Sequence, residues 1–311
     1  MKNALLNSIS NRLKNDKDAI FLTADLGFML LEELQENFPD QFFNVGISEA
    51  NMIGIAGGLA RTGKSVICYS MSPFVTLRCL EQVRMHLSIG QQDITLIGVG
   101  AGYAYGPQGC SHHSVEDLGV MLSMAGINIY SIMSPSDLER TVKHQAKYKK
   151  PSYIRIGRSE PFALKNSNSK IIEIDLILTN KSTQNDHIQV FTTGSMTNYA
   201  TKAFESISSE LNSKLSIYNI TQLKPFPTEC LLKAIGENSK ILTLEQNILN
   251  GGLSSLIANQ VLQNQLKIKS FNSLNLPDEF IKKAGSEKDL MRLAAIDELS
   301  IAKKIREIDN E

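Results

Sequence analysis

The sequence has no excess charge of either sign: 32 basic and 32 acidic side chains cancel over 311 residues. No net field therefore draws the chain to nucleic acid or to an anionic membrane, and an anionic ligand must be held by a local site. Cysteine is scarce. Cys68, Cys79, Cys110 and Cys230 show neither the close pairing of a metal site nor a dense disulfide framework, which fits a reducing cytoplasm. Long apolar runs are missing too. Met1 to Ile20 mixes polar and apolar residues and lacks the continuous apolar core of a signal peptide, and no later stretch has the length of a membrane span. Internal repeats, heptad arrays and low-complexity tracts are absent. These absences point to a soluble cytoplasmic protein that engages neither nucleic acid nor membrane.

What is present is alternation. Short apolar runs rich in β-branched residues alternate with longer amphipathic segments, the pattern of parallel sheets covered by helices. Strands are expected at 20–24, 42–44, 65–69, 94–98, 127–131 and 152–156, with helices at 50–61, 74–88, 115–124 and 136–147 between them. The last of these opens on Pro135-Ser136-Asp137, where Ser or Asp can cap free backbone N–H groups. After Arg158 the pattern lapses into a polar stretch that reads as linker and edge structure. A second, smaller alternation follows: strands 187–192, 215–219 and 240–245, helices 198–209, 228–236 and 254–262, and a helical tail from Asp278. The expected fold class is α/β, two domains at 1–160 and 187–311 joined by a linker at 161–186, each a mainly parallel sheet flanked by helices.

One motif matches a pattern but not its context. Gly58 to Ser65 has the residues of a nucleotide-binding P-loop, which works only where it follows a strand and opens a helix. Here the order is inverted, so Thr62-Gly63-Lys64 is expected to be a helix-ending turn. Gly98, Gly100 and Gly102 follow a strand at a spacing that misses the dinucleotide fingerprint, and read as a flexible loop beside a site. Adjacent His112 and His113 suggest a metal, yet sequence neighbours rarely point at one ion and no third ligand is suitably spaced; zinc is disfavoured.

The stretch from Asn44 to Ala60, NVGISEANMIGIAGGLA, is of another kind. A carboxylate, Glu49, opens a helix that is otherwise small, apolar and glycine-rich. An acid near the positive end of a helix dipole is stabilised, and by itself this is simply a first-turn Glu. The small residues behind it permit close packing against another chain or a ligand, which would desolvate the acid.

This stretch resembles the signature of the pyrimidine-binding domain of transketolases and deoxyxylulose-phosphate synthases, with Glu49 on the family's activating glutamate. The resemblance implies thiamine diphosphate as cofactor, its aminopyrimidine hydrogen-bonded to Glu49 so that a carbon acid ionises to the nucleophile. It continues in order along the chain. Thr23-Ala24-Asp25-Leu26 resembles the first strand and its acidic end, placing Asp25 near the cofactor. Ser70 to Phe74, running into Leu80 to Arg84, resembles the segment whose aromatics cradle the pyrimidine, which assigns that contact to Phe74. Gly106 to His113, with Glu116 and Asp117 following, resembles the glycine–threonine–histidine loop. It implies a role for His112 as hydrogen-bond donor or proton shuttle, and substrate contact or a supporting place for His113. Pro151 to Arg158 resembles the strand that ends the pyrimidine domain, where the arginine at Arg158 binds substrate phosphate. Thr193 to Met196, Leu223 to Pro227, Glu245-Gln246 and Gly251 to Leu253 resemble the family's C-terminal domain.

Full-length transketolases carry a further domain that holds the diphosphate through magnesium with a Gly-Asp-Gly turn and a later Asn. No Gly-Asp-Gly occurs in this sequence. The resemblance therefore implies a separately encoded partner that holds Mg²⁺ and most of the cofactor, with two chains of each type in an α2β2 heterotetramer. The substrate side departs from the family: Pro107-Gln108 replaces an acidic pair, Gly100 replaces a histidine and Met29 a serine, leaving Arg158 as the surviving phosphate ligand and Gln108 as a substrate contact. An altered ketol donor or acceptor follows, such as a nucleotide-linked or otherwise modified sugar. The β subunit of a 2-oxoacid dehydrogenase and a deoxyxylulose-phosphate-like synthase are the alternatives of the same fold. A non-catalytic partner and a P-loop nucleotide hydrolase lie outside this class; retention of Glu49 and His112 argues against the former.

Overall fold

The computed structural model describes residues 1–158, 173–180 and 187–311. In chain order the elements are α1 (Lys2–Asn15), β1 (Ala19–Thr23), α2 (Glu32–Asn37), β2 (Phe42–Asn44), α3 (Glu49–Arg61), β3 (Ser65–Met71), α4 (Ser72–Val75), α5 (Leu80–Val83), β4 (Ile94–Val99), α6 (Asp117–Ser123), β5 (Asn128–Ile132), α7 (Pro135–Tyr148) and β6 (Ser152–Ile156). The second half adds β7 (Ile174–Thr179), β8 (His187–Thr192), α8 (Met196–Ile207), β9 (Lys214–Ile220), β10 (Gln222–Lys224), α9 (Thr228–Ala234), β11 (Ser239–Ile248), α10 (Leu253–Gln263), β12 (Ile268–Leu276), α11 (Glu287–Leu293) and α12 (Glu298–Asp309).

The strands form two sheets, ordered β10-β5-β6-β4-β3-β1-β2 and β12-β11-β8-β9-β7. Every pairing is parallel except β10 on β5 and β7 on β9. Both faces of the first sheet are buried, which is why its strands read as continuous apolar runs. Ile20, Leu22, Val66 and Cys68 face the core under α3, whereas Phe21, Ile67 and Tyr69 face the core that includes Leu5, Ile9 and Leu13 of α1 and Leu138 and Val142 of α7. The capping serine of α7 is Ser134, two residues before the Ser136 expected, and with Asp137 it forms a reciprocal capping box.

Several elements differ from expectation, each for a local reason. The expected helix over 74–88 is broken. α4 stops at Val75, a 3₁₀ turn spans Leu77–Cys79 with Cys79 outside the αR region at φ −110 and ψ 17, and Arg84–Ile89 is wound as a π-helix. Within the stretch read as linker, Ile174–Thr179 is an edge strand of the second sheet, held antiparallel to β9; the polar run 165–169 and residues 181–186 lie outside the described residues. β10, from the second half of the chain, completes the edge of the first sheet. One apolar core runs across the boundary, joining Phe191, Leu231 and Ile257 to Leu96, Leu118 and Ile129. α1, α2 and β12 complete the elements beyond those expected, and the helical tail begins at Glu287 rather than Asp278.

Thr62-Gly63-Lys64 closes α3. The Gly63 and Lys64 N–H groups donate to Ala60 and Leu59 carbonyls, and Gly63 takes φ +92, so no phosphate-binding helix start exists there.

In the second domain, Glu245 near the end of β11 is fully buried. Its carboxylate accepts from the Leu253 and Ser254 N–H groups opening α10, at 2.6 and 2.9 Å, and from Asn275 Nδ2 at 2.7 Å. Burial pushes its pKa up to about 7 from 4.5, against the pull of these donors and of Arg155. Because the folded value lies above the unfolded one, its contribution to stability is complete below the unfolded value and lost as pH rises through about 7. Glu245→Gln is expected to flatten the decline in stability across that window. Denaturant titrations of parent and variant at both ends of it provide the check, and parallel pH profiles would contradict the assignment.

Candidate active site

The residues singled out from the sequence lie just beyond the carboxyl ends of parallel strands, where open α/β sheets bind ligands. Asp25 follows β1, Glu49 follows β2, Phe74 follows β3, the loop bearing His112 follows β4, and Arg158 follows β6. The structure gathers them into two groups.

The first group is built on Glu49. Ser48 serves as the N-cap, so Glu49 is the first residue of α3, and its carboxylate is buried with 5% exposure. Burying a charge is costly unless it is paired. Arg78 Nη1 donates to Glu49 Oε2 at 3.0 Å, and Ser70 Oγ stands 3.5 Å from Oε1. The same Arg78 guanidinium lies 3.8 Å above the centre of the Phe74 ring. His112 meets Phe74 edge to face at 5.1 Å, and its Nδ1 is 3.0 Å from Ser111 Oγ. Glu49, Arg78, Phe74 and His112 thus form one continuous run.

The second group lines a cleft of about 500 Å³. Asp25, Leu26, Phe28, Tyr69, Tyr105 and Arg158 are among its walls. Arg158 lies over the Tyr105 ring at 4.5 Å and has no carboxylate ion-pair partner among the described residues. Asp25 takes φ +55; its N–H donates to Asn44 Oδ1 and its Oδ1 accepts from Asn44 Nδ2 at 3.1 Å. Asn44 Oδ1 also accepts from the Gly46 N–H, which ties the Asp25 turn to the strand end that leads into Glu49.

The two histidines part company. His113 is 2% exposed, sits edge to face on Tyr103 at 5.0 Å, and neither ring nitrogen reaches a hydrogen-bond partner. Burial lowers its pKa, with the His112 ring adding to the effect and the Gly106 backbone opposing it. The His113 ring is thus buried against Tyr103, whereas His112 is half-buried. Gln108 is exposed on the 3₁₀ turn Gly106–Gln108. No group of three or more metal-ligating side chains forms among the described residues.

Glycine shapes the loop by close packing rather than flexibility. At Gly100, φ is +93 and an added Cβ would fall 2.2 Å from the Tyr105 ring that supports Arg158. A buried cluster holds the far end of the same loop. Arg155 donates to Asp117 through Nε at 2.8 Å and Nη2 at 3.0 Å, Tyr153 donates to Asp117 Oδ2 at 2.7 Å, and Arg155 Nη2 also reaches the Ser114 and Gln246 carbonyls. Arg155 and Asp117 were not legible as a pair: they lie 38 residues apart, and only the pairing of β6 with β4 and β5 brings them together. Arg78 was likewise invisible as a site residue, since an arginine among helical residues is ordinarily a solvated charge.

A buried acid opening a glycine-rich helix at the carboxyl ends of parallel strands, followed by a second, mainly parallel sheet, defines a class that sequence comparison makes definite. The transketolase pyrimidine-binding domain family matches residues 1–161, and the transketolase C-terminal domain family matches residues 179–301. The chain belongs to the transketolase family.

Its relatives include a subunit of the apulose-4-phosphate transketolase of Actinobacillus succinogenes, 26% identical over 302 residues that cover 97% of this chain and 96% of that one. The 6-deoxy-6-sulfo-D-fructose transketolase subunit SqwH of Clostridium sp. (strain MSTE9) is 25% identical, covering 90% of this chain and 89% of its own. Among solved structures, a split-gene transketolase described as an inactive beta4 tetramer superposes with a TM-score of 0.83 at 20% identity, over 99% of this chain and 97% of that one. No helix among the described residues is long and apolar enough to cross a membrane.

Proposed function

We propose that this chain is the cofactor-activating subunit of a split thiamine diphosphate-dependent transferase of the transketolase type, which moves a ketol unit to an aldehyde or sugar acceptor in the cytoplasm. The observation that carries this reading is the buried Glu49 carboxylate at the start of α3, in a run with the aromatic face of Phe74. A planar, hydrogen-bonding heterocycle would fit that combination, with Phe74 offering it an aromatic face and Glu49 a partner for a ring nitrogen. Thiamine diphosphate, when bound, supplies the carbon nucleophile. Glu49 holds a proton at that ring nitrogen, and Phe74 orients the ring. His112, packed against Phe74 and half-buried, is placed to exchange a proton with a substrate oxygen. Asp25 lies at the neighbouring strand end. Arg158, braced on Tyr105 over an open cleft, is suited to an anionic substituent of the substrate, with exposed Gln108 as a polar contact. The relatives named above act on apulose 4-phosphate and on a sulfo-sugar according to their names, which supports an anionic, modified sugar as substrate.

The diphosphate and Mg²⁺ fall to a separately encoded partner carrying a Gly-Asp-Gly turn and a later Asn, in an α2β2 assembly. The test is reconstitution with that partner. Ketol transfer from anionic sugars that requires thiamine diphosphate is expected, and Arg158→Met should raise KM for the anionic substrate about ten- to a hundredfold, as loss of a charged hydrogen bond does. Acylation of a lipoyl domain in place of ketol transfer would move the chain to the 2-oxoacid dehydrogenases.

A further inference from the structure

We infer that Arg78 is a resident stand-in for the cofactor's aminopyrimidine, filling the seat between Glu49 and Phe74 and yielding it only when thiamine diphosphate arrives. This rests on the reading of Glu49 and Phe74 given above. A guanidinium is flat, delocalised and hydrogen-bonding, the features it shares with an aminopyrimidine. Arg78 uses both its flat face and its donors at once: its plane-bearing carbon lies 3.8 Å from the Phe74 centroid, a stacking separation, and its Nη1 donates to Glu49 Oε2 at 3.0 Å. A ring stacked on this face of Phe74 and bonded to Glu49 would compete with Arg78 for the same space.

Two further observations make displacement feasible. The Arg78 side chain is 49% exposed, against 5% for Glu49, so its outer half already faces solvent and has somewhere to go. Its backbone lies on the short 3₁₀ turn Leu77–Cys79, between the end of α4 at Val75 and the start of α5, rather than within a continuous helix. The charge is also of the wrong kind for turnover. A guanidinium attracts the ionised carboxylate, whereas activation of the cofactor needs Glu49 to share a proton with a ring nitrogen. In the unassembled chain Arg78 keeps a buried acid paired; in the working site it must stand aside. Arg78 is thereby an affinity-setting residue of the cofactor site, and each binding event includes the loss of the Arg78–Glu49 contact.

The experiment is a thiamine diphosphate titration, at saturating Mg²⁺, of the full chain assembled with its partner, followed calorimetrically for the parent, Arg78→Met, Arg78→Lys and Phe74→Ala. A half-exposed ion pair is worth up to ~1 kcal/mol, so its removal should tighten binding about fivefold in Arg78→Met. Arg78→Lys, which keeps the charge and loses the flat stacking group, should fall between, and Phe74→Ala should weaken binding. Thermal midpoints of the two Arg78 variants confirm that they fold, and Arg78→Lys carries the test alone if Arg78→Met does not. Binding unchanged or weakened in the Arg78 variants, with Phe74→Ala still weaker, overturns the stand-in role and leaves the cofactor site intact. Failure of Phe74→Ala to alter binding overturns both readings.

Discussion

Glu49→Gln in the assembled enzyme is expected to cut turnover by about 10²- to 10⁴-fold while leaving the thermal midpoint close to that of the parent. Gln keeps the shape of the side chain but holds no proton that can be shared with a ring nitrogen, and a positioned acid or base is worth about that factor. The stability effect is small because the ion pair lost is to half-exposed Arg78. Steady-state rates for parent and variant at matched cofactor saturation provide the measurement. A variant that retains more than about a tenth of parental activity would falsify the assignment of Glu49 as the activating acid, since a contribution so small lies below the range of acid–base catalysis.

Asp117→Ala is expected to have the largest effect on folding. Asp117 is fully buried and is the anionic centre of a cluster with Arg155 and the Tyr153 hydroxyl, themselves buried. Burial pulls the Arg155 pKa down, and the Asp117 charge and hydrogen bonds, together with Tyr153 and Glu245, outweigh it, so removing the carboxylate leaves a guanidinium and a phenol without it in the interior. Breaking a buried pair on one side costs about 3–5 kcal/mol, or roughly 10 °C of thermal midpoint for a protein of this size. Exchanging both charges, Asp117→Leu with Arg155→Met, should recover most of that loss, because the penalty comes from the unpaired charge rather than from the missing bond. A single-variant loss below about 1 kcal/mol would mean that water reaches the cluster. Arg155 also holds the Ser114 and Gln246 carbonyls, so looser placement of the His112 loop should accompany the loss of stability.

The α/β plan and the first sheet were legible because β1, β3, β4 and β6 are buried on both faces and therefore appear as short, mainly apolar runs. Glu49 by itself read as an ordinary first-turn acid, and it stood out only because the stretch from Asn44 to Ala60 resembles the pyrimidine-binding signature of transketolases. The elements that were missed have weaker signatures. β12 is half-buried along most of its length, which gives no clean alternation. β10 is three residues long before Pro225 and gains its place only by pairing with a distant strand. In α1 the stripe of Leu5, Ile9 and Leu13 was present, diluted by Asn, Lys and Ser. Apolar spacing over 74–88 satisfied a helix template, yet spacing does not register the end of α4 at Val75 that sets Arg78 on its own turn. The burial of His113 was hidden for a similar reason: whether a loop histidine faces in or out depends on Tyr103, which packs against it from ten residues upstream.

The short antiparallel strand that the second half of the chain lends to the first makes the two halves a single unit of folding. Cutting the polypeptide after Arg158 would strip β5 of its outer neighbour and bare a row of N–H and C=O groups together with the apolar surface once covered by Leu223 and Phe191. Such a fragment would be sticky rather than soluble. A break between the two sheets would therefore deprive each half of cover that only the other supplies.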